Sequence, residues 1–308
     1  MEATRDFLRR LGLPAGDAHD LPTSPRRFPD GAQYRVEIPS VEGPRAMAAV
    51  LEEAQRYGIV VHRVSQGSGI MLQTDDEIRE MARLGRENGT EVSLFVGPRA
   101  GWDIGGQVAA GAGKNLGARL RGMEQVVYAI EDIRRGCALG LRGVLLADEG
   151  ALWVAGEMKR AGELPSDLVL KVSVQMGAAN PASILWMERL GAGTYNTPTD
   201  LTLAQLAAIR QAVSIPLDVY VEVPDDFGGF VRHYEIPELV RVAAPVYLKF
   251  GLRNAPNYYP AGQHLEAQVM SQTRERVRRA ALGLRLLQQY YPAATTSQPG
   301  AAGLGLPV

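Results

Sequence analysis

Glu37, Glu222 and Lys249 each stand at or near the end of a short β-branched run, where alternation turns them away from the apolar face. A carboxylate set against a buried lysine shifts the proton affinity of both groups and suits proton transfer. A lysine that sheds its proton on desolvation instead forms a Schiff base with a carbonyl compound. The sequence leaves both chemistries open and makes these three residues the catalytic candidates. The ends of the other runs add Arg63, Ser65, Gln66, Arg99, Gln175 and Asn196 as candidates for holding substrate, with the two arginines suited to an anion. Asp148 and Glu149 follow one another at a strand-to-helix junction. With Glu222 or Glu37, such carboxylates can bind a divalent cation, and Glu149 with Glu222 is the candidate pair. An acidic residue there is equally a plain helix cap, which we expect for one of the two.

Several loops would surround this site. Residues 64–69, rich in Gly and Ser, permit close backbone approach to a ligand or simply form a turn. Residues 97–122 contain many glycines interleaved with Arg99, Trp102, Asp103, Lys114, Arg119 and Arg121. A connection this long in a compact domain is usually functional, and we expect a basic lid over an anionic substrate. His233, in the loop after the run ending near Glu222, is a candidate acid or base and a candidate contact to substrate. A solitary loop histidine is as readily inert.

Other chemistries find no support. One cysteine, Cys137, excludes a disulfide framework and a cysteine-held cluster, so no iron–sulfur centre is expected. His19, His62, His233 and His264 are scattered and give no zinc spacing. No Gly-x-Gly-x-x-Gly fingerprint follows the first strand, so no nicotinamide cofactor is expected, and no nucleophile elbow is present. The formal net charge of -1 gives no reason to expect a nucleic-acid or membrane partner. No segment reads as a signal peptide or a membrane span, which makes the expected location cytoplasmic.

The positioning elements follow from periodicity. Strands are expected at 34–38, 60–64, 91–96, 143–147, 170–174, 193–195, 217–221 and 246–250. Helices are expected between them at 44–57, 75–88, 123–139, 150–161, 181–190, 203–212 and 236–242, with a last one at 265–290. Thr202 and Gln205 form a capping box. Eight strand–helix repeats in order predict a single (β/α)₈ barrel spanning residues 31–291. It is preceded by an N-terminal extension (1–30) with a helix at 4–11. Residues 292–308 are poor in packing side chains and are expected to be a disordered tail. The apolar alternates, such as Val36, Val172, Val219 and Leu248, face the helices. Arg35, Glu37, Lys171, Ser173, Gln175, Asp218, Tyr220, Glu222, Tyr247 and Lys249 then point inward, with His62 or Arg63 from strand two. Barrel interiors are ordinarily branched and apolar, so this polar filling must pair internally or serve chemistry.

The run 172–176, Asn180, the helix to Leu190-Gly191-Ala192, Asp200-Leu201-Thr202-Leu203 and Leu217 to Glu222 together resemble the collagenase-like peptidase family of bacteria (peptidase family U32). That resemblance covers about 60 residues, mostly as hydrophobic pattern. It implies a barrel and a hydrolase label, although members of that family also modify RNA or quinone precursors with iron–sulfur cysteines that this chain lacks. The expected function is an enzyme acting on a small anionic or carbonyl-bearing substrate, of lyase, aldolase or isomerase type. The alternatives are a peptidase-like hydrolase, metal-assisted or using water activated by Glu222, and a non-catalytic binding barrel. A homo-oligomer is compatible with all three.

Overall fold

The computed structural model describes residues 2–17, 20–102 and 106–308. His19, Asp103 and the Lys114 side chain therefore lie outside the described residues. In chain order the elements are α1 (Glu2–Arg10), β1 (Tyr34–Pro39), α2 (Pro44–Tyr57), β2 (Arg63–Gln66), α3 (Asp75–Asn88), β3 (Glu91–Phe95), α4 (Gly106–Ala109), α5 (Gly122–Ala138), β4 (Gly143–Leu146) and α6 (Glu149–Arg160). They continue with β5 (Val169–Val172), α7 (Pro181–Leu190), β6 (Thr194–Asn196), α8 (Leu203–Ala212), β7 (Leu217–Glu222), α9 (Ile236–Ala243), β8 (Val246–Phe250) and α10 (Glu266–Tyr290). The strands run parallel in sequence order and close, β8 pairing with β1, into a (β/α)₈ barrel.

Local chemistry sets the helix ends. Thr74 and Thr202 each form a full capping box, with Glu77 and Gln205 respectively. Asp148 caps α6 by accepting from the Ala151 amide, so the first of the two adjacent carboxylates is the cap. Gly58 ends α2 at φ 63°, a left-handed turn that a side chain would strain. The outward faces of the strands supply one continuous core with the helices, including Val36, Val64, Val92, Val144, Val172, Val219 and Leu248.

Register decides which residues meet inside. Glu37 lies beside Arg63 and Lys249, Arg63 beside Glu91, Leu145 beside Lys171, Asp218 beside Tyr247, and Tyr220 beside Lys249. Of the two candidates on strand two, Arg63 is the one that joins this inward set.

The C-terminal segment 292–308 differs from its expected disorder. It crosses the N-terminal mouth of the barrel and is held there by hydrogen bonds, with Leu304 packed on Phe28, Ala32 and Tyr247. Arg35 donates to Ser297 Oγ at 2.8 Å and to the Ala302 carbonyl at 2.7 Å. The Gly305 amide donates to Glu91 Oε2 at 3.0 Å, and the Val308 amide donates to the Gly140 carbonyl at 2.9 Å. A scarcity of apolar side chains does not prevent ordering when a charged barrel floor offers partners to the backbone.

His62 ties this segment to β1. Its Nδ1 accepts from the Val36 amide at 2.9 Å and its Nε2 lies 2.8 Å from the Ser297 carbonyl, which requires a neutral ring with the proton on Nε2. Burial pulls its pKa from 6.5 to about 4. The unfolded chain therefore takes up a proton, in the window from 6.5 down to about 4, that the folded state refuses. His62 thus contributes stability that is fully present above the unfolded pKa and is lost as pH falls through that window. We expect a loss of about 3 kcal/mol across it. Denaturant unfolding at stepped pH should show this acid limb flattened in His62→Gln. Parallel limbs in the two proteins would exclude His62 as its cause.

Candidate active site

Six charged side chains meet inside the barrel. Glu37 Oε2 accepts from Lys171 Nζ at 2.8 Å and lies 3.3 Å from Arg63 Nη1, while Glu37 Oε1 lies 3.1 Å from Lys249 Nζ. Arg63 also reaches Asp218 Oδ1 at 3.1 Å and Glu91 Oε1 at 2.6 Å. Lys171 bonds the second oxygen of Asp218, which also accepts from Thr194 at 3.0 Å. Three cations (Arg63, Lys171, Lys249) thus face three anions (Glu37, Glu91, Asp218), and the set is neutral. Neutrality matters because an unpaired buried charge costs several kcal/mol. Burial works to raise the Glu37 carboxyl, but Lys171, Lys249 and Arg63 outweigh it and hold it well below the usual carboxylate range.

Lys249 is where this network reaches open space. A cavity of about 930 Å³ lies over the C-terminal ends of the strands. Of the six charged groups, Lys249 is the one that lines it. Its ammonium lies 4.6 Å from the Tyr220 ring centre. In the amide orientation that satisfies both of its partners, Asn196 accepts from Lys249 Nζ at 2.8 Å and donates to the Asp218 carbonyl at 3.2 Å. Ser65 donates to Glu37 Oε1 at 2.7 Å. The lysine is thus aimed by a carboxylate, an amide and a ring, with its tip at the cavity floor.

The cavity wall contains four of the other expected contacts, Ser65, Gln66, Arg99 and Gln175, as well as Asn196. Gln66 also closes its own turn through Gly69, accepting from that amide at 2.9 Å. Gln175 sits on a short 3₁₀ turn beyond β5, because the strand ends at Val172 and Ser173 caps the turn. The 97–122 loop roofs part of the cavity through Trp102, Leu116 and Arg119, and is stitched across by Gly101 N to Gly117 O at 2.8 Å. Arg119 is engaged by Glu149.

Four expected residues lie elsewhere. Arg63 is fully buried beneath Lys249 and belongs to the ion network rather than to the cavity wall. Glu222 is turned outward. A register shift between Tyr220 and Glu222 sets Glu222 beside Phe250, on the face packed against the helices. There it accepts from the Arg253 amide at 3.0 Å and from Arg279 of α10 at 3.4 Å. His233 follows it, with Nε2 3.6 Å from Glu222 Oε2, and also leaves the cavity. Glu149 is exposed at the start of α6.

The expected metal pair of Glu149 and Glu222 is therefore not assembled. Among the described residues, no group of three or more His, Cys, Asp and Glu side chains is arranged to hold an ion. The residues that sequence reasoning undervalued are Lys171, Asp218 and Glu91. The first two carried the inward signal and were passed over only because they lie one layer below the strand ends. Glu91 begins its strand, and its role depends on Arg63 and on the C-terminal segment, both distant in sequence.

No family model matches the chain, and no curated protein matches it. Solved structures do resemble it. A U32 peptidase is 15% identical, with 65% of this chain and 73% of that one covered and a TM-score of 0.39. Thiamine phosphate pyrophosphorylase from Pyrococcus furiosus is 14% identical, with 83% and 98% covered and a TM-score of 0.46. Oxaloacetate acetylhydrolase is 10% identical, with 86% and 85% covered and a TM-score of 0.45. At such identities and TM-scores these likenesses say nothing about chemistry. The peptidase resemblance expected around β5 to β7 extends no further than a weak likeness of fold. Among the described residues, no helix is long and apolar enough to cross a membrane.

Proposed function

We propose that this barrel is an enzyme acting on a small anionic, carbonyl-bearing compound at Lys249, in a lyase, aldolase or isomerase reaction. The observation that supports this reading most is the position of Lys249. It is the one charged group of the buried network that opens onto the cavity at the C-terminal strand ends, where barrel enzymes do their chemistry.

As an ammonium, Lys249 completes the neutral set of six charges. In that form it donates to the carbonyl oxygen of the substrate. As a C–H bond next to the carbonyl breaks, its electron pair moves onto that oxygen, the Nζ proton meets the developing charge, and the proton released from carbon passes to solvent in the cavity. Glu37 and Asn196 hold Nζ in place, so little reorganisation is needed.

A second route is favoured by one specific contact. Lys171 and Lys249 both bond the Glu37 carboxylate, so Glu37 keeps an ammonium partner in Lys171 when Lys249 meets the carbonyl as the free amine. The neutral amine would then attack the carbonyl carbon. A C–N bond forms, the carbonyl oxygen departs as water with the two amine protons, and the resulting imine, once protonated, accepts the same electron pair.

The test is hydrogen–deuterium exchange at the carbon next to the carbonyl in a panel of small oxo acids, followed by NMR in deuterated water. We expect the wild-type chain to catalyse exchange for at least one member. Lys249→Met should lower the rate by about 10²–10⁴-fold. Cyanoborohydride with the same compound separates the routes. A reduced adduct on Lys249 selects the imine, and exchange without an adduct selects the ammonium. No wild-type exchange across the panel, or full exchange by Lys249→Met, would overturn the reading.

A further inference from the structure

Arg99 is a buried cation with no ion partner among the described residues. It is 6% exposed and lines the same cavity as Lys249. Its guanidinium carbon lies 3.5 Å from the centre of the Phe95 ring and 4.1 Å from that of Trp102. Stacking occupies the faces of the planar group and leaves its edges for hydrogen bonds. Nε and Nη2 both lack a hydrogen-bond partner and are closed off from solvent. A guanidinium is planar, and its N–H bonds are spaced to meet the two oxygens of a single carboxylate.

The neighbouring carboxylates do not fill that role. Glu42 spends its oxygens on the Gly67 amide at 2.6 Å and the Ser68 amide at 3.0 Å. Asp132 accepts from the Gly97 amide at 3.2 Å. Burial pulls the Arg99 pKa down to about 9, against the pull of Glu42, Tyr259 and Asp132. The group is still a cation at neutral pH, and leaving its donors unmade is costly.

The anion should be singly charged. Glu42 and Asp132 both act electrostatically on Arg99, and the same carboxylates would oppose a second negative charge. Arg119, the other arginine of the wall, is already engaged by Glu149. A phosphate, with two charges and a tetrahedral set of oxygens, would find one planar edge and opposing carboxylates. A carboxylate matches that edge in charge, planarity and spacing.

We infer that the Arg99 guanidinium, where it lines the cavity, is a subsite for a substrate carboxylate. The substrate is then an oxo acid whose carboxylate docks on Arg99 while its carbonyl meets Lys249. The second half of this statement rests on the reading of Lys249 given above. The carboxylate subsite does not.

The experiment is equilibrium binding to the full chain, by calorimetry or ligand-observed NMR, with pyruvate, its neutral amide and inorganic phosphate. Pyruvate should bind saturably, the amide about tenfold or more weakly, and phosphate should not displace pyruvate. Arg99→Lys should weaken pyruvate by a similar factor, because an ammonium lacks the paired edge. Its unfolding midpoint checks that it is folded, and the comparison of pyruvate with its amide needs no variant. Equal binding of pyruvate and the amide would overturn the subsite. So would unchanged pyruvate binding in Arg99→Lys, displacement by phosphate, or no saturable pyruvate binding. A pyruvate preference without any exchange activity would instead remove the Lys249 reading and leave this one standing. Exchange activity with equal binding of acid and amide would do the reverse.

Discussion

Replacing Lys171 by Met should lower the unfolding free energy by about 3–5 kcal/mol, which is a large part of the stability of an ordinary domain. Lys171 is fully buried and bonds both Glu37 and Asp218. Without it, three buried carboxylates face two cations, and the excess negative charge has no solvent to spread into. The cost is thus that of a stranded charge rather than that of a lost contact. This distinction is testable. Lys171→Met combined with Asp218→Asn removes one charge of each sign and restores neutrality. The pair should recover a substantial part of the loss, so the two effects will not add. A surface comparison sets the scale. Breaking the exposed Arg83–Glu80 pair on α3 should change stability by less than about 1 kcal/mol. The measurement is denaturant unfolding, at one pH, of wild type, both single variants, the double variant and the surface variant. A Lys171→Met chain as stable as wild type would mean that the buried carboxylates take up a proton at little cost, and the neutral-network argument would fail.

Deleting residues 297–308 should be comparably costly, on the order of 5 kcal/mol. The estimate comes from three charge-assisted hydrogen bonds of about 1.5–3 kcal/mol each. They are Arg35 to Ser297, Arg35 to the Ala302 carbonyl, and the Gly305 amide to Glu91. The loss at Glu91 also reaches the site, because Glu91 holds Arg63, and Arg63 contacts Glu37. A smaller perturbation tests the same contact. A Cβ on Gly305 would lie 2.4 Å from the Arg142 carbonyl oxygen, so Gly305→Ala must push the segment away from the barrel floor. Truncated and wild-type chains with the same unfolding midpoint would show that the segment contributes nothing to the floor.

How far the sequence alone determined this protein can be judged residue by residue. The repeat of apolar strands and capped helices fixed the barrel, because strand and helix periods are local properties of the chain. Alternation also placed Glu37, Lys171, Asp218 and Lys249 inside, and the shared inward face brought them together as soon as the sheet closed. Arg99 was legible as a candidate for the cavity wall from its place beyond β3, and it does line that cavity.

What needed the tertiary structure was every decision made by a distant partner. Glu222 faces out because one register shift between β7 and β8 turns its strand over by one residue. A period of two gives no warning of a bulge, and a slip of one residue exchanges the two faces. Arg63 fell below the cavity because its partners come from β1, β3 and β7. The C-terminal segment is ordered because Arg35, His62 and Glu91 present unfilled hydrogen bonds at the barrel floor, and those residues precede it by more than 200 positions. Composition reports what a segment brings to its own packing. It cannot report what the rest of the fold offers in return, and that exchange decided both the closed floor of this barrel and which of its charges reach the cavity.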